Sequence, residues 1–213
     1  ESQRAKELSD EVFKWASGEP FFLIDLHTTT ANMGVTLVLS KMDRLSARVI
    51  KRICDQDPSY HVLLNSDRDD ECIFVDSMAP HGLLIEIGPV PQNVYDPRVI
   101  TLMEKVVVET LEALLEEEAS LPTPGPIEVE LFQEGPAVKF PGAINGQLTT
   151  IVHPDLVGRD YEPLKQGMSV FVDTQGQCVH WQGEDVYPVF INEAAYLTQE
   201  TAFITTTKAN IKF

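Results

Sequence analysis

The segment GLLIEIGPVPQNVYDPRVITLMEKVVVETLEALLEEE, Gly82 to Glu118, sets an apolar run of strand length ahead of a long helical pattern. GLLIEIG, Gly82 to Gly88, is nearly continuous in apolar residues with one carboxylate, Glu86, inside it, as expected of a buried strand. Asp96 and Pro97 supply an N-cap and a first-turn proline. Ile100, Met103, Val107, Leu111 and Leu114 then trace one apolar face to about Glu118, which predicts a helix.

The same alternation runs upstream. FFLIDLH, Phe21 to His27, reads as a buried strand, followed by the polar loop TTTANMG and a second strand, VTLVLS, from Val35 to Ser40. Asp43 to Asp55 has helical spacing through Leu45, Val49, Ile50 and Ile53, and HVLLN, His61 to Asn65, is another strand candidate. The charge run SDRDDE, Ser66 to Glu71, is expected to be a solvated loop. Strands alternating with helices imply an α/β fold with a mostly parallel sheet. Before Gly18-Glu19-Pro20, the opening ESQRAKELSDEVFKWAS has Ala5, Leu8, Val12, Phe13 and Ala16 at helical spacing. Glu1 in place of an initiator Met, with that rhythm already under way, is expected of a chain lacking its first portion.

Downstream, LPTPGP, Leu121 to Pro126, concentrates three prolines and a glycine and is expected to be a linker. Beyond it come short strand-like pieces, IEVELF, AVKF, LTTIVH, SVFVDT, CVHW, VYPVFI and AFITTTKANIKF, separated by turns such as Pro141-Gly142 and Asn145-Gly146. They predict a small all-β domain, a barrel or sandwich, over residues 127–213 that follows a domain over residues 1–120.

Sixteen Lys and Arg against 33 Asp and Glu give a formal charge of −17, which disfavours nucleic acid and anionic membranes as partners. A small anionic substrate stays compatible, because a metal or a few local cations can reverse the field inside one pocket. The three cysteines, Cys54, Cys72 and Cys178, show no CxxC spacing and cannot all pair, which points to a reducing compartment, the cytoplasm. No apolar run approaches the roughly 20 residues of a membrane span, and no basic region with a long apolar stretch opens the chain.

His27 closes an apolar strand ahead of a polar loop, a position that suits a metal ligand or a base. Asp25, two residues earlier, shares its face and can orient the imidazole. A lone histidine beside an apolar strand is more often structural, so the local pattern leaves both readings open. Glu86, flanked by Leu83, Leu84, Ile85 and Ile87, faces desolvation that raises a carboxyl pKa toward the range of proton shuttles, unless a structural cation pairs with it. In VYPVFINEAAY, Val186 to Tyr196, Asn192, Glu193 and Tyr196 can either bind a carboxylate or anchor a loop. His61, His81, His153 and His180 sit in strand or turn contexts with no H-x-x-H, H-x-x-E or H-E-x-x-H arrangement. G-x-S-x-G, P-loop and dinucleotide fingerprints are missing.

DLHTTTANMG (25–34), GLLIEIGPVPQ (82–92), IVHPDL (151–156) and VYPVFINEAAY (186–196) resemble, in order, the motifs of the aspartoacylase family, which includes the aminoacylase acting on acetylated aromatic amino acids and mercapturates. The resemblance covers nearly the whole chain. It implies a zinc carboxypeptidase-like mixed sheet with flanking helices, then a C-terminal β domain over the active-site mouth. By the same resemblance His27 is a zinc ligand, Glu86 the general base and Tyr196 a contact to the substrate carboxylate, while Glu193 organises its loop. The implied reaction releases a carboxylate, such as acetate, and a free amino acid from an N-acyl amino acid, with one zinc ion per complete site. A homo-oligomer is also implied.

Three departures qualify it. The family's H-x-x-E ligands and its substrate-gripping Asn-Arg pair precede the D-L-H strand and have no counterpart here. Because a catalytic zinc normally takes three protein ligands, the chain is expected to be inactive alone. Where aspartoacylase has an arginine for the side-chain carboxylate, gapless counting places Asp76, an acid that would repel a second carboxylate and so favours neutral or aromatic substrates; Arg68, in the nearby loop, is the alternative cation for that place. Asn93 stands where the family commonly has glycine. The competing reading is a non-catalytic binding or interaction protein that retains the fold.

Overall fold

A computed structural model describes residues 3–16, 18, 21–65, 75, 79–119, 125–142 and 148–213. The positions Glu19, Pro20, Ser66 to Glu71 with Arg68 among them, Cys72, Asp76, 121–124 of the expected linker and Asn145-Gly146 lie outside the described residues, as does the side chain of Ala5. The elements run α1 (Gln3–Ala16), β1 (Phe22–Thr28), β2 (Gly34–Leu39), α2 (Arg44–Gln56), β3 (His61–Leu64), β4 (His81–Gly88), α3 (Pro97–Ala119), β5 (Glu128–Lys139), β6 (Thr150–Val152), β7 (Ser169–Asp173), β8 (Cys178–His180) and β9 (Thr201–Lys212). A 3-10 helix, Ala194–Gln199, precedes β9.

Six strands form one sheet in the order β1-β4-β2-β3-β5-β9. Three of its pairings, β1 with β4, β2 with β3 and β3 with β5, are parallel; β2 with β4 and β5 with β9 are antiparallel. The sheet is therefore mixed. Period-2 alternation sorts its side chains cleanly. Val35, Leu37, Leu39, Val62, Leu64, Leu83, Ile85 and Ile87 pack beneath α2 and α3 in the main core. Asp25, His27, Thr36, Val38, His61, Leu63, Leu84 and Glu86 alternate with them and belong to the opposite face.

Asp43 starts α2: its Oδ1 accepts from the backbone N–H groups of Leu45 and Ser46 at 2.8 and 3.0 Å, and its Oδ2 lies 2.7 Å from Nδ1 of His81. Burial of Val49, Ile50 and Ile53 holds α2 on the sheet, each side chain contributing about 1.5–3 kcal/mol. The helix predicted from Asp96-Pro97 is present as α3, but its buried face differs from the expected one. Val106, Thr110 and Ala113 are buried, whereas Ile100 and Leu111 are about half exposed. The helix carries apolar residues on more than one side, so spacing alone does not fix its rotation. In α1, likewise, Leu8 and Phe13 are exposed and Ala16 is buried.

The second half is less separate than the expected division at residue 127. IEVELF and AVKF merge into β5, with a register shift between Glu134 and Ala137, and β5 and β9 extend the sheet of the first half. Leu63 and Leu64 of β3 pair with Phe132 and Gln133 of β5. Only β6, β7 and β8 form a second sheet, over a core that includes Phe140, Leu164, Phe171 and Phe203. VYPVFI is not a ladder strand; it makes isolated bridges, Leu164 to Val186 and Val189 to Ile204. Among the described residues, no helix is long and apolar enough to cross a membrane.

Candidate active site

The register aligns two rows across the face opposite the helices. His27 of β1 pairs with Glu86 of β4, which pairs with Thr36 of β2, which pairs with His61 of β3. In the next row Asp25, Leu84, Val38, Leu63 and Phe132 follow one another across five strands. Tyr161, from the second half, covers the His61 end: its hydroxyl is 3.0 Å from Thr36 Oγ1 and its ring stacks on His61 at 3.9 Å between centroids. A cavity of about 240 Å³ opens on this face, and His27, Glu86 and Tyr196 all line it. The structure thus brings together the three residues singled out in the sequence.

Glu86 is only 6% exposed, and its Oε1 has no hydrogen-bond partner among the described residues. Burial pushes its carboxyl up to about 8, and the negative charges of Glu193 and Asp25 push the same way. Such a group holds a proton near neutrality unless a cation stands beside it. His27, at the cavity rim, places Nε2 3.1 Å from Asp25 Oδ2. That contact leaves Nδ1 as the ring nitrogen available to a ligand. Tyr196 is half-buried in the 3-10 helix, its ring tilted against Phe190 with centroids 5.4 Å apart.

Glu193 ties the cavity rim together. Its Oε2 accepts from the hydroxyls of Thr29 and Thr30 and from the backbone N–H groups of Thr30 and Ala31, the last three at 2.9, 2.8 and 3.3 Å. Oε1 accepts from the N–H of Ala195 at 3.0 Å and so caps the helix that carries Tyr196. Burial alone would raise this carboxyl, yet the N–H of Ala195 and the donors of Thr29 and Thr30 outweigh it and hold the group below its ordinary value. Phe190 and Asn192 beside it occupy the left-handed backbone region, at φ 54° and 57°. The surrounding contacts have to hold such conformations in place.

Two parts of this frame carry weaker signals in the sequence. Asp160 accepts from the backbone N–H groups of Asn32 and Ile191, at 3.1 and 3.0 Å, and so joins the loop after β1 to the loop before the 3-10 helix. Gly88 lets the loop cross β4 closely: a Cβ there would lie 2.5 Å from the carbonyl oxygen of Ala31 and 2.6 Å from that of Thr29. A glycine closing an apolar strand hints at such an approach, whereas Asp160 reads as an ordinary turn residue.

Residues 1–114 match the family model of the succinylglutamate desuccinylase/aspartoacylase catalytic domain, and residues 128–208 match that of the AstE/AspA barrel-sandwich hybrid domain. The chain belongs to the succinylglutamate desuccinylase/aspartoacylase family. It is 34% identical over 212 residues to a probable aspartoacylase of Acaryochloris marina, covering 99% of this chain and 72% of that protein. It is 36% identical over 215 residues to the N-acyl-aromatic-L-amino acid amidohydrolase (carboxylate-forming) of Homo sapiens, covering 98% of this chain and 66% of that one. The crystal structure of murine aminoacylase 3 superposes with a TM-score of 0.91 at 31% identity, over 99% of this chain and 70% of its own. The chain therefore spans about two thirds of the length of the relatives it matches.

For a member of this family the hybrid-domain assignment agrees with the small β6-β7-β8 sheet, while β5 and most of β9, inside the same match, also complete the larger sheet. Among the described residues, no group of three or more His, Cys, Asp or Glu side chains is arranged to hold a metal ion.

Proposed function

We propose that the protein is a zinc-dependent amidohydrolase that deacylates an N-acyl amino acid to a carboxylate and a free amino acid. The observation that carries this reading is Glu86, a buried carboxylate whose Oε1 has no partner among the described residues, in a cavity also lined by His27 and Tyr196.

The donor chemistry fits a cation in part. His27 offers Nδ1 while Asp25 engages Nε2, and positive charge nearby would relieve the crowding of Glu86, Glu193 and Asp25. One imidazole falls short of the three protein ligands of a catalytic zinc site, so tight binding depends on ligands beyond the described residues. The 213 residues alone are accordingly expected to turn over little substrate. When bound, zinc polarises an amide carbonyl and acidifies a water.

Glu86 accepts a proton from the attacking water and delivers it to the departing amine nitrogen, the two halves of general base and acid work. Its burial beside Leu84 on the cavity face of the sheet favours return of that proton to substrate over its loss to solvent. Tyr196 donates its hydroxyl to the substrate carboxylate. Glu193 fixes the turn from which Tyr196 projects, so orientation of the substrate rests on the capped 3-10 helix.

The test is zinc content and acetate release by the full-length protein with Glu86→Ala as comparison. The variant should retain the metal and lose about 10²–10⁴-fold in kcat. Turnover within twofold of the parent, or a parent that binds no zinc, would refute the proposal.

A further inference from the structure

Resting on the deacylase reading, we infer that Asn65 is a specificity-determining residue whose carboxamide hydrogen-bonds a polar group at the far end of a long substrate branch. Asn65 follows β3 directly and lines the same cavity as Glu86. Its backbone N–H donates to the carbonyl of Leu39 at 2.8 Å, which continues the pairing of β2 with β3 and holds the residue in place. Alternation from His61 and Leu63 puts its side chain on the cavity face.

That side chain is 8% exposed, and neither its oxygen nor its nitrogen has a hydrogen-bond partner among the described residues. A buried carboxamide left without partners costs free energy. An asparagine at a strand end commonly commits these atoms to nearby backbone. Elsewhere on the cavity wall, the Thr29 hydroxyl donates to Glu193, and Glu134, which follows the Leu64–Gln133 pair on β5, has an interaction of its own. Asn65 therefore offers a ligand one acceptor and a donor group at the end of the cavity away from Glu86.

Register sets the distance a substrate has to span. Glu86 pairs with Thr36 and Thr36 with His61, and Asn65 lies further along the strand that begins at His61. Two strand spacings and four residue rises put the Cα atoms of Glu86 and Asn65 about 16 Å apart. Leu84, Val38 and Leu63, one row of the register, line the cavity between them. With the substrate carboxylate at Tyr196 and its amide beside Glu86, either the side chain or the acyl group runs along this row. An acetyl group ends far short of Asn65. An arylalkyl branch, packed on the three apolar side chains and hydrogen-bonded at its tip, fills the span. An apolar tip leaves the carboxamide unpaired, so a site built for a hydroxyl rejects the analogue that lacks it.

The experiment measures kcat/KM of the zinc-loaded full-length protein for two pairs of compounds that differ by one hydroxyl. N-acetyl-L-tyrosine is set against N-acetyl-L-phenylalanine for the side chain, and N-(4-hydroxyphenylacetyl)glycine against N-phenylacetylglycine for the acyl group. In the pair whose aryl branch runs toward Asn65, the phenol should be favoured at least about fivefold. Asn65→Leu should bring that ratio close to one, by raising KM for the phenol and lowering it for the phenyl compound. A smaller preference in both pairs with the parent protein overturns the inference, and so does a folded Asn65→Leu that keeps the parent's ratio. Asn65→Ala carries the same expectation if the leucine variant does not fold. If none of the four compounds is hydrolysed, the deacylase reading falls, and titration calorimetry of the same compounds still decides the role of Asn65. Tighter binding of a phenol that is lost in the variant supports it, and equal binding within both pairs overturns it.

Discussion

Removing the Glu193 carboxylate should cost more stability than neutralising it, and the size of the difference follows from its donors. Glu193 is 5% exposed and accepts from two hydroxyls and three backbone N–H groups. Glu193→Gln can keep an oxygen at the Oε2 position, retaining four of these bonds in weaker, uncharged form, but turns an NH2 toward the N–H of Ala195. One lost bond and several weakened ones amount to about 2 kcal/mol. Glu193→Ala takes the acceptor from all five donors, although the Ala31 N–H keeps the Thr29 hydroxyl oxygen at 3.0 Å. The half-buried Thr30 and the exposed Ala195 can recruit water, while the Thr29 hydroxyl is buried, so the loss should reach about 3–4 kcal/mol. The assay is equilibrium urea unfolding of the full-length protein and both variants, read by far-UV circular dichroism and by fluorescence. An alanine variant within 1 kcal/mol of the parent, or one no worse than the glutamine variant, would show that the clamp contributes little to stability and that the loop is held elsewhere.

Asp160 predicts a pH signature. Burial pushes its carboxyl up to about 6 against the backbone N–H groups of Ile191 and Asn32, so the folded state holds this proton more tightly than the unfolded chain. Its contribution is fully present below pH 4 and is lost as pH rises through 6, a change of about 3 kcal/mol in the unfolding free energy. Asp160→Asn should remove that slope from a series of urea midpoints between pH 4 and 7, and identical slopes in parent and variant would refute the assignment. Gly88→Ala should destabilise by about 1–3 kcal/mol, because its methyl must displace two backbone carbonyls and the Thr29 methyl. A thermal midpoint equal to that of the parent would show that the loop shifts without cost.

The strands of the first half were legible because each is a short apolar run bounded by polar or turn residues, and His61–Leu64 and His81–Gly88 fall within a residue of their expected limits. The rotation of α3 was not, since Val106, Val107 and Val108 are equally apolar and only the sheet beneath selects Val106. Nor was the strand partner of IEVELF. IEVELF carries the same alternation whether it pairs with a small barrel or with β3, and the choice rests on Leu63 and Phe132, 69 positions apart. Of the candidate site, His27 and Glu86 were marked by local pattern, as polar residues in or at the end of apolar strands. Tyr196 was carried chiefly by a family motif, and Asp160 by nothing local, because its role lies in two backbone amides contributed by distant loops.

The sharing of one sheet by both halves bears on how the molecule assembles. β5 and β9 pair over residues 128–139 and 201–212, and β5 reaches β3 through only two paired residues. Closing those contacts means closing loops of roughly 60 residues or more, an entropic cost that grows slowly with length but slows the search. His27 and Glu86 are synthesised long before Phe190, Glu193 and Tyr196, so during translation the catalytic face stays open to water and to other chains until β9 docks. Completion of the cavity is then among the last events of folding, and a chain halted before residue 186 would display its row of Leu84, Val38 and Leu63 uncovered, a target for chaperones and proteases.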